Sequence, residues 1–180
     1  METFRKEIDT KITPAVQKAL GLKNRLAVPR VTKITVNIGL NASSKDSKFK
    51  DSALDALTRI TGQKPVETKA RKSVSGFKVR EGMVVGLKVT LRGARMYDFL
   101  YKLIHVTLPR IRDFQGLSKN LVDSTGNLSI GFKEHLAFPE IRSDEIEVMH
   151  GLQVTITTTA KTHDHGVTLF THFGFPFINK

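Results

Sequence analysis

Apolar residues at Phe4, Ile8, Ile12, Val16 and Leu20 recur every four positions, a spacing that lays them along one stripe of a helix. Pro14 lies inside the stripe and is expected to split or kink the helix, because it has no N–H and crowds the carbonyl four residues back. From Val31 to Ile38 the period changes to two. Ile34, Val36 and Ile38 fall on one side and Lys33, Thr35 and Asn37 on the other, the pattern of a half-buried strand. A second helix is predicted over Asp51 to Ile60, with Ala53, Leu54, Leu57 and Ile60 on its apolar face and Gly62 just past its end. Alternation returns from Val85 to Arg92, with Val85, Leu87, Val89 and Leu91 inward. Met96, Phe99, Leu100, Leu103 and Ile104 then mark a third helix, closed by Pro109. Two further alternating runs follow, Leu128-Ile130-Phe132 and Leu152-Val154-Ile156-Thr158. A short helix from about Thr162 to Phe173 ends the chain.

Helices separate some of these strands but not others, which is the order of an α+β fold rather than a βαβ repeat. Clean alternation requires one wet face, so the expected sheet is antiparallel, with helices packed on one face only. The length of 180 residues suits a single domain spanning 1–180. Strand order does not follow from the pattern.

Charge narrows the chemistry. Lys and Arg number 29 against 17 Asp and Glu, a net charge of +12, and the isoelectric point is near 10.1. Such a balance points first to polyanions, because each cation brought against a phosphate releases condensed counterions. An anionic membrane surface and an acidic protein are the alternatives. There is no cysteine, which excludes disulfide scaffolds, thiolate metal sites and cysteine nucleophiles. Met1 to Glu7 has no apolar leader character, and no apolar run approaches the roughly 18 residues of a membrane span, so a soluble intracellular protein is expected.

The outward residues of the two best strands, Lys33, Thr35, Asn37 and Lys88, Thr90, Arg92, hold hydrogen-bond donors and no carboxylate. On one sheet they would form a platform for RNA phosphates and 2′-hydroxyls; an ordinary solvated face is the competing reading. Exposed aromatics of the kind that stack bases on a sheet are missing from these positions. Between Gln63 and Gly82 six bases, Lys64, Lys69, Arg71, Lys72, Lys78 and Arg80, face two acids, Glu67 and Glu81. Interrupted by glycines and lying between a helix and a strand, residues 64–82 are expected to protrude as a basic loop or β-arm. Arg92, Arg95, Arg110 and Arg112 flank the third helix, and Glu140, Asp144, Glu145 and Glu147 make a local acidic stretch.

His163-Asp164-His165 and His172 lack metal-ligand spacing, and no phosphate-loop, dinucleotide or nucleophile-elbow motif occurs, so neither an enzyme nor a metal or other cofactor is expected. A hydrolase or transferase using His163, Asp164 or His165, or a membrane binder built on the basic arm, are the rival classes. The arm lacks the apolar face of an interfacial helix.

Several segments are specific. Val28-Pro29-Arg30-Val31-Thr32-Lys33-Ile34, Thr61-Gly62-Gln63-Lys64-Pro65, the run Lys69 to Lys78, Lys88-Val89-Thr90-Leu91-Arg92-Gly93, Pro109 to Phe114, Phe138-Pro139-Glu140-Ile141, the run Gly151 to Lys161 and Phe173-Gly174-Phe175-Pro176-Phe177 stand in order along the whole chain. In them the chain resembles the bacterial-type large-subunit ribosomal protein five family, the 5S-rRNA-binding ribosomal proteins. The resemblance implies a cytoplasmic, ribosome-bound protein of the large subunit. It would join 5S rRNA to large-subunit rRNA at the central protuberance, touch peptidyl-site tRNA through a loop, and bridge to a small-subunit head protein beside neighbouring large-subunit proteins. Carried over by position, Lys33, Thr35, Asn37, Gln63, Lys64, Lys88, Thr90 and Arg92 would be the 5S face. Lys69, Arg71, Lys72, Ser73, Lys78 and Arg80 would be the tRNA loop, and Arg110, Arg112, Asp113, Glu140, Asp144 and Glu145 the inter-subunit side.

Overall fold

A computed structural model describes residues 2–40, 47–141 and 149–178. Its strands β1 (Val31–Gly39), β2 (Val66–Lys69), β3 (Val84–Leu91), β4 (Leu128–Phe132) and β5 (Leu152–Thr158) form one sheet in the order β2-β3-β1-β5-β4. The sheet is antiparallel. Val66 pairs with Lys88 and Thr68 with Gly86. Leu40 donates to Val85. Thr159 donates to Arg30 while the Thr32 hydroxyl reaches Thr157, so partners recede along one strand as they advance along the other. With the helices, this is the expected α+β class.

The chain divides into two compact units. One comprises residues 1–34, 91–130 and 155–180, the other 35–90 and 131–154. In the first, α1 (Glu2–Glu7) lies against α4 (Gly93–Lys102), and α2 (Thr13–Ala19) against α5 (His163–His172). Phe4, Val16, Phe99, Leu103 and Phe170 are among its buried side chains. The chain turns into α5 where two glycines meet. A Cβ on Gly126 would come within 2.9 Å of the Thr162 carbonyl oxygen, and one on Gly166 within 2.5 Å of the Gly126 Cα. Asp123 prepares that turn. Its Oδ1 accepts from the Thr125 and Asn127 N–H groups and the Thr125 hydroxyl, and its Oδ2 accepts from Asn127 Nδ2. Burial pushes the Asp123 carboxyl up, but the hydrogen bonds from Asn127 and Thr125 outweigh it and hold it below the ordinary value.

Pro14 does not break the N-terminal helix. Residues Ile8–Ile12 form a wider, π-type turn in which the Thr13 N–H bonds to the Ile8 carbonyl, and Pro14 opens α2. The same device recurs in Leu103–Thr107, where the Leu108 N–H reaches the Leu103 carbonyl just ahead of Pro109. A proline supplies no N–H and crowds the carbonyl four residues back, and a turn wider by one residue accommodates both.

In the second unit, α3 (Ser47–Thr61) begins four residues earlier than the apolar pattern indicates and buries Ala53, Ala56, Leu57 and Ile60. Val36, Ile38, Leu87 and Val89 of the sheet are buried too. Val85, expected inward, is only half-buried, because the β2–β3 register slips between Thr68 and Lys69, a bulge that takes up one residue of β3.

Candidate nucleic-acid interface

The sequence leaves open whether the outward residues of β1 and β3 share a face. Gly86 decides it. A Cβ placed there would point at the Thr68 hydroxyl, 2.9 Å away, and towards Asn37 Oδ1, 3.9 Å away. Positions 86, 88 and 90 alternate onto the same side. In the second unit, therefore, Thr35, Asn37, Thr68, Lys88 and Thr90 stand together, with Val66 opposite Lys88. Asn37 and Lys88 are exposed, and Thr35, Thr68 and Thr90 half-buried. Gln63, at the end of α3, joins them: its Nε2 donates to the Thr90 carbonyl at 3.4 Å, and Lys64 beside it is exposed. Lys33, half-buried, and Arg92, exposed at the start of α4, belong to the first unit.

No carboxylate intrudes on this face among the described residues of its strands. Glu67, the one acid of β2, alternates to the opposite side and meets Lys50 of α3 at 2.6 Å. That hydrogen bond holds the Glu67 carboxyl below its ordinary value and raises Lys50. The arrangement offers amide and hydroxyl groups that fix register, with cations at its margin that attract phosphate.

The segment 64–82 is a hairpin with an irregular end. Above β2 and the bulge, Ala70 and Met83 continue the pairing, and Val74 and Val79 exchange both hydrogen bonds. A short 3₁₀ turn, Ser75–Phe77, closes it, with Lys78 in the left-handed region at φ 53°. Lys69, Arg71, Lys72, Ser73, Lys78 and Arg80 are all exposed. Ser73 also ties the two sides, its Oγ accepting from the Glu81 N–H at 2.9 Å. Three exposed apolar side chains of the hairpin are missed by sequence reasoning: Phe77 is 75% exposed, Val66 58% and Val74 44%. An aromatic ring held out among bases is the element the sheet lacks for stacking on a nucleotide. Its signal was its place between Gly76 and Lys78 in a polar run.

The third predicted group is divided between the two units. Arg110, Arg112 and Asp113 are exposed in the first unit, Asp113 in the left-handed region at φ 54°. Glu140 is half-buried in the second unit, and Asp144 and Glu145 lie outside the described residues. His172 Nδ1 meets the Thr168 carbonyl of its own helix, and His163 Nε2 meets the Lys119 carbonyl of a separate turn. Among the described residues no cluster suits a metal ion, and no helix is long and apolar enough to cross a membrane.

The family described as ribosomal protein L5 matches residues 24–80, and the model of that family's C-terminus matches residues 84–177. The chain belongs to the ribosomal protein L5 family. The large ribosomal subunit protein uL5 of Bordetella petrii is 49% identical over 170 residues, covering 94% of this chain and 95% of that protein. The uL5 of Desulforapulum autotrophicum is 49% identical over 179 residues, 99% of this chain and all of that protein. The resemblance read from the sequence is thus to the right family, and this member is a structural, non-enzymatic constituent of the large ribosomal subunit. The boundary between the two family segments, residues 81–83, falls on the returning side of the basic hairpin just ahead of β3.

Proposed function

We propose that this ribosomal constituent holds 5S rRNA on the outer face of its sheet and offers the basic hairpin to peptidyl-site tRNA. The observation that carries the reading is the Gly86 gap, which brings Asn37 and Thr68 together on a carboxylate-free face that also bears Lys88 and Thr90. Amides and hydroxyls there, Thr35 included, recognise backbone and groove edges, with Gln63 and Lys64 beside them; Lys33 and Arg92 of the first unit contribute cations to the same reading. Lys69, Arg71, Lys72, Lys78 and Arg80 supply contacts of a different kind, charge without register, which suits tRNAs that differ in sequence and must leave. Attachment of 5S rRNA to the large-subunit rRNA belongs to the same reading. So does a bridge to a small-subunit protein through Arg110, Arg112, Asp113 and the acidic side around Glu140, Asp144 and Glu145.

The test is binding of the purified chain to 5S rRNA, tRNA and a length-matched control RNA across a salt series. Asn37→Ala, Gln63→Ala and Thr90→Ala should each weaken 5S binding by about fivefold, the worth of one hydrogen bond of about 1 kcal/mol, and leave control binding alone. Unchanged 5S binding by all three variants removes the sheet face from the proposal.

A further inference from the structure

The most exposed large apolar side chain among the described residues is Leu26, at 88%, and it lies on neither proposed surface. It is held out by structure. Asn24 Oδ1 accepts from the Leu26 N–H at 2.9 Å, the Ala27 N–H bonds to the Asn24 carbonyl at 3.1 Å and the Val28 N–H to the Arg25 carbonyl at 3.3 Å, closing the 3₁₀ turn Arg25–Ala27. Two longer ties fix this turn to the N-terminal helices: Gln17 Nε2 donates to the Leu22 carbonyl at 3.0 Å and Arg25 Nη2 to the Asp9 carbonyl at 3.3 Å. Val28 and Pro29, two and three residues on, are buried. A chain that sinks Val28 into the core and caps the preceding turn presents Leu26 to solvent at fixed geometry, so little entropy remains to be lost when something covers it.

The surroundings identify what covers it. From Thr10 to Leu40 the sequence contains Lys11, Lys18, Lys23, Arg25, Arg30 and Lys33 and no acid. Leu26 stands between exposed Arg25 and Ala27 with exposed Lys23 and Asn24 just before it, a single large apolar side chain in an exposed cationic loop. A protein partner is met by a buried cluster ringed by neutral contacts. A single aliphatic wedge between cations fits RNA, where it can lie on a base face or enter a base step as the flanking cations meet the phosphates.

We infer that the loop Lys23 to Ala27 is a further RNA contact of this protein, with Leu26 packed on a nucleobase and Lys23 and Arg25 on the adjoining backbone. Incorporating a photoreactive leucine analogue at position 26 and reconstituting large subunits tests it directly. A crosslink to an RNA nucleotide is expected; a crosslink confined to protein, or none, overturns the inference. Affinity gives the second arm, with 5S rRNA and the long large-subunit rRNA as separate probes. Leu26→Ser should weaken binding to at least one of them about tenfold, with the salt slope unchanged because no charge is lost, and Leu26→Met should retain it. An exposed residue contributes nothing to the core, so the melting temperature of both variants should match the parent. Parental affinity of Leu26→Ser for both RNAs also overturns the inference. The sheet-face reading stands or falls on Asn37, Gln63 and Thr90 instead, so the two can fail separately.

Discussion

Substituting Gly86 by alanine probes the feature on which the candidate face rests. Neither Gly86 nor its neighbour in the sheet, Gly39, has a positive φ, so both backbones accept a side chain. In such a place alanine ordinarily stabilises by about 0.4–1 kcal/mol, through the unfolded chain. Among the described residues Gly39 has nothing within 4 Å of a Cβ, and Gly39→Ala should follow that rule, raising the melting temperature by about 1–3 °C. At Gly86 the new methyl would stand 2.9 Å from the Ile38 carbonyl oxygen and 2.9 Å from the Thr68 hydroxyl, where ordinary contact begins near 3.4 Å. The Thr68 side chain can turn; a carbonyl in the adjacent strand cannot move without its ladder. Overpacking of that kind costs about 1–3 kcal/mol, more than the entropic gain, so Gly86→Ala should lower the melting temperature by about 2–8 °C. Calorimetry of both variants gives the sign of each shift. Because the displaced groups belong to the proposed face, 5S rRNA binding should weaken for Gly86→Ala and stay parental for Gly39→Ala. Stabilisation by both substitutions would refute the close approach and with it the assembled face.

Neutralising Lys69, Arg71, Lys72, Lys78 and Arg80 to glutamine should lower retention of peptidyl-site tRNA in reconstituted ribosomes and reduce the magnitude of its salt slope by about 3.5–4.5 if all five meet phosphate; loss of 5S binding instead would mean the two surfaces are exchanged. Thr107 is fully buried and its hydroxyl has no hydrogen-bond partner among the described residues, so Thr107→Val should stabilise by about 1 kcal/mol and raise the melting temperature by about 2–4 °C; a fall would mean the hydroxyl is satisfied. The Asp123 carboxyl is held below its ordinary value of 3.8, so the unfolded chain takes up the proton first; its contribution is complete above that value and lost as pH falls through the folded value. Asp123→Asn should melt about 2–4 °C lower at pH 7, and the gap should close in acid; a gap independent of pH would assign the loss to geometry rather than charge.

The strands β1, β3, β4 and β5 could be read from the sequence because each keeps one face buried and one wet, and the resulting alternation has no other explanation. The second edge of the site could not. β2 has only four residues, Val66–Lys69, too few for a period to show inside a run of lysines, threonine and glutamate. The bulge at Thr68/Lys69 leaves no mark in Val84-Val85, where either valine fits inward. The outward donors of β1 and β3 were found by alternation. Their union with Thr68, and the diversion of Glu67 to Lys50, depend on strand order and on the space Gly86 leaves. Leu26 and Phe77 escaped because an apolar residue in a polar run carries no period; only burial separates a core anchor such as Val28 from a side chain held in solvent.

The N-terminal stripe shows how a local rule and a tertiary demand are reconciled. A spacing of four residues drifts off a straight helix, since about 3.6 residues complete a turn and each step of four overshoots by about 40°. The wide turn at Ile8–Ile12 absorbs one extra residue, about 100°, and Phe4, Ile8 and Val16 all stay buried across it. Two causes could hold that turn open: the missing N–H of Pro14, or the burial of the stripe. Restoring the N–H with Pro14→Ala offers about 1 kcal/mol for one hydrogen bond, whereas rewinding the turn would swing Phe4 and Ile8 outward at about 1.5–3 kcal/mol each. Burial wins by these magnitudes, so the wide turn should persist in Pro14→Ala and the melting temperature should move by less than about 4 °C. Ile8→Ala, which removes the buried side chain itself, should cost about 2–5 kcal/mol. A loss in Pro14→Ala as large as that in Ile8→Ala would show that the proline, and not the core, sets the pitch of the first helix.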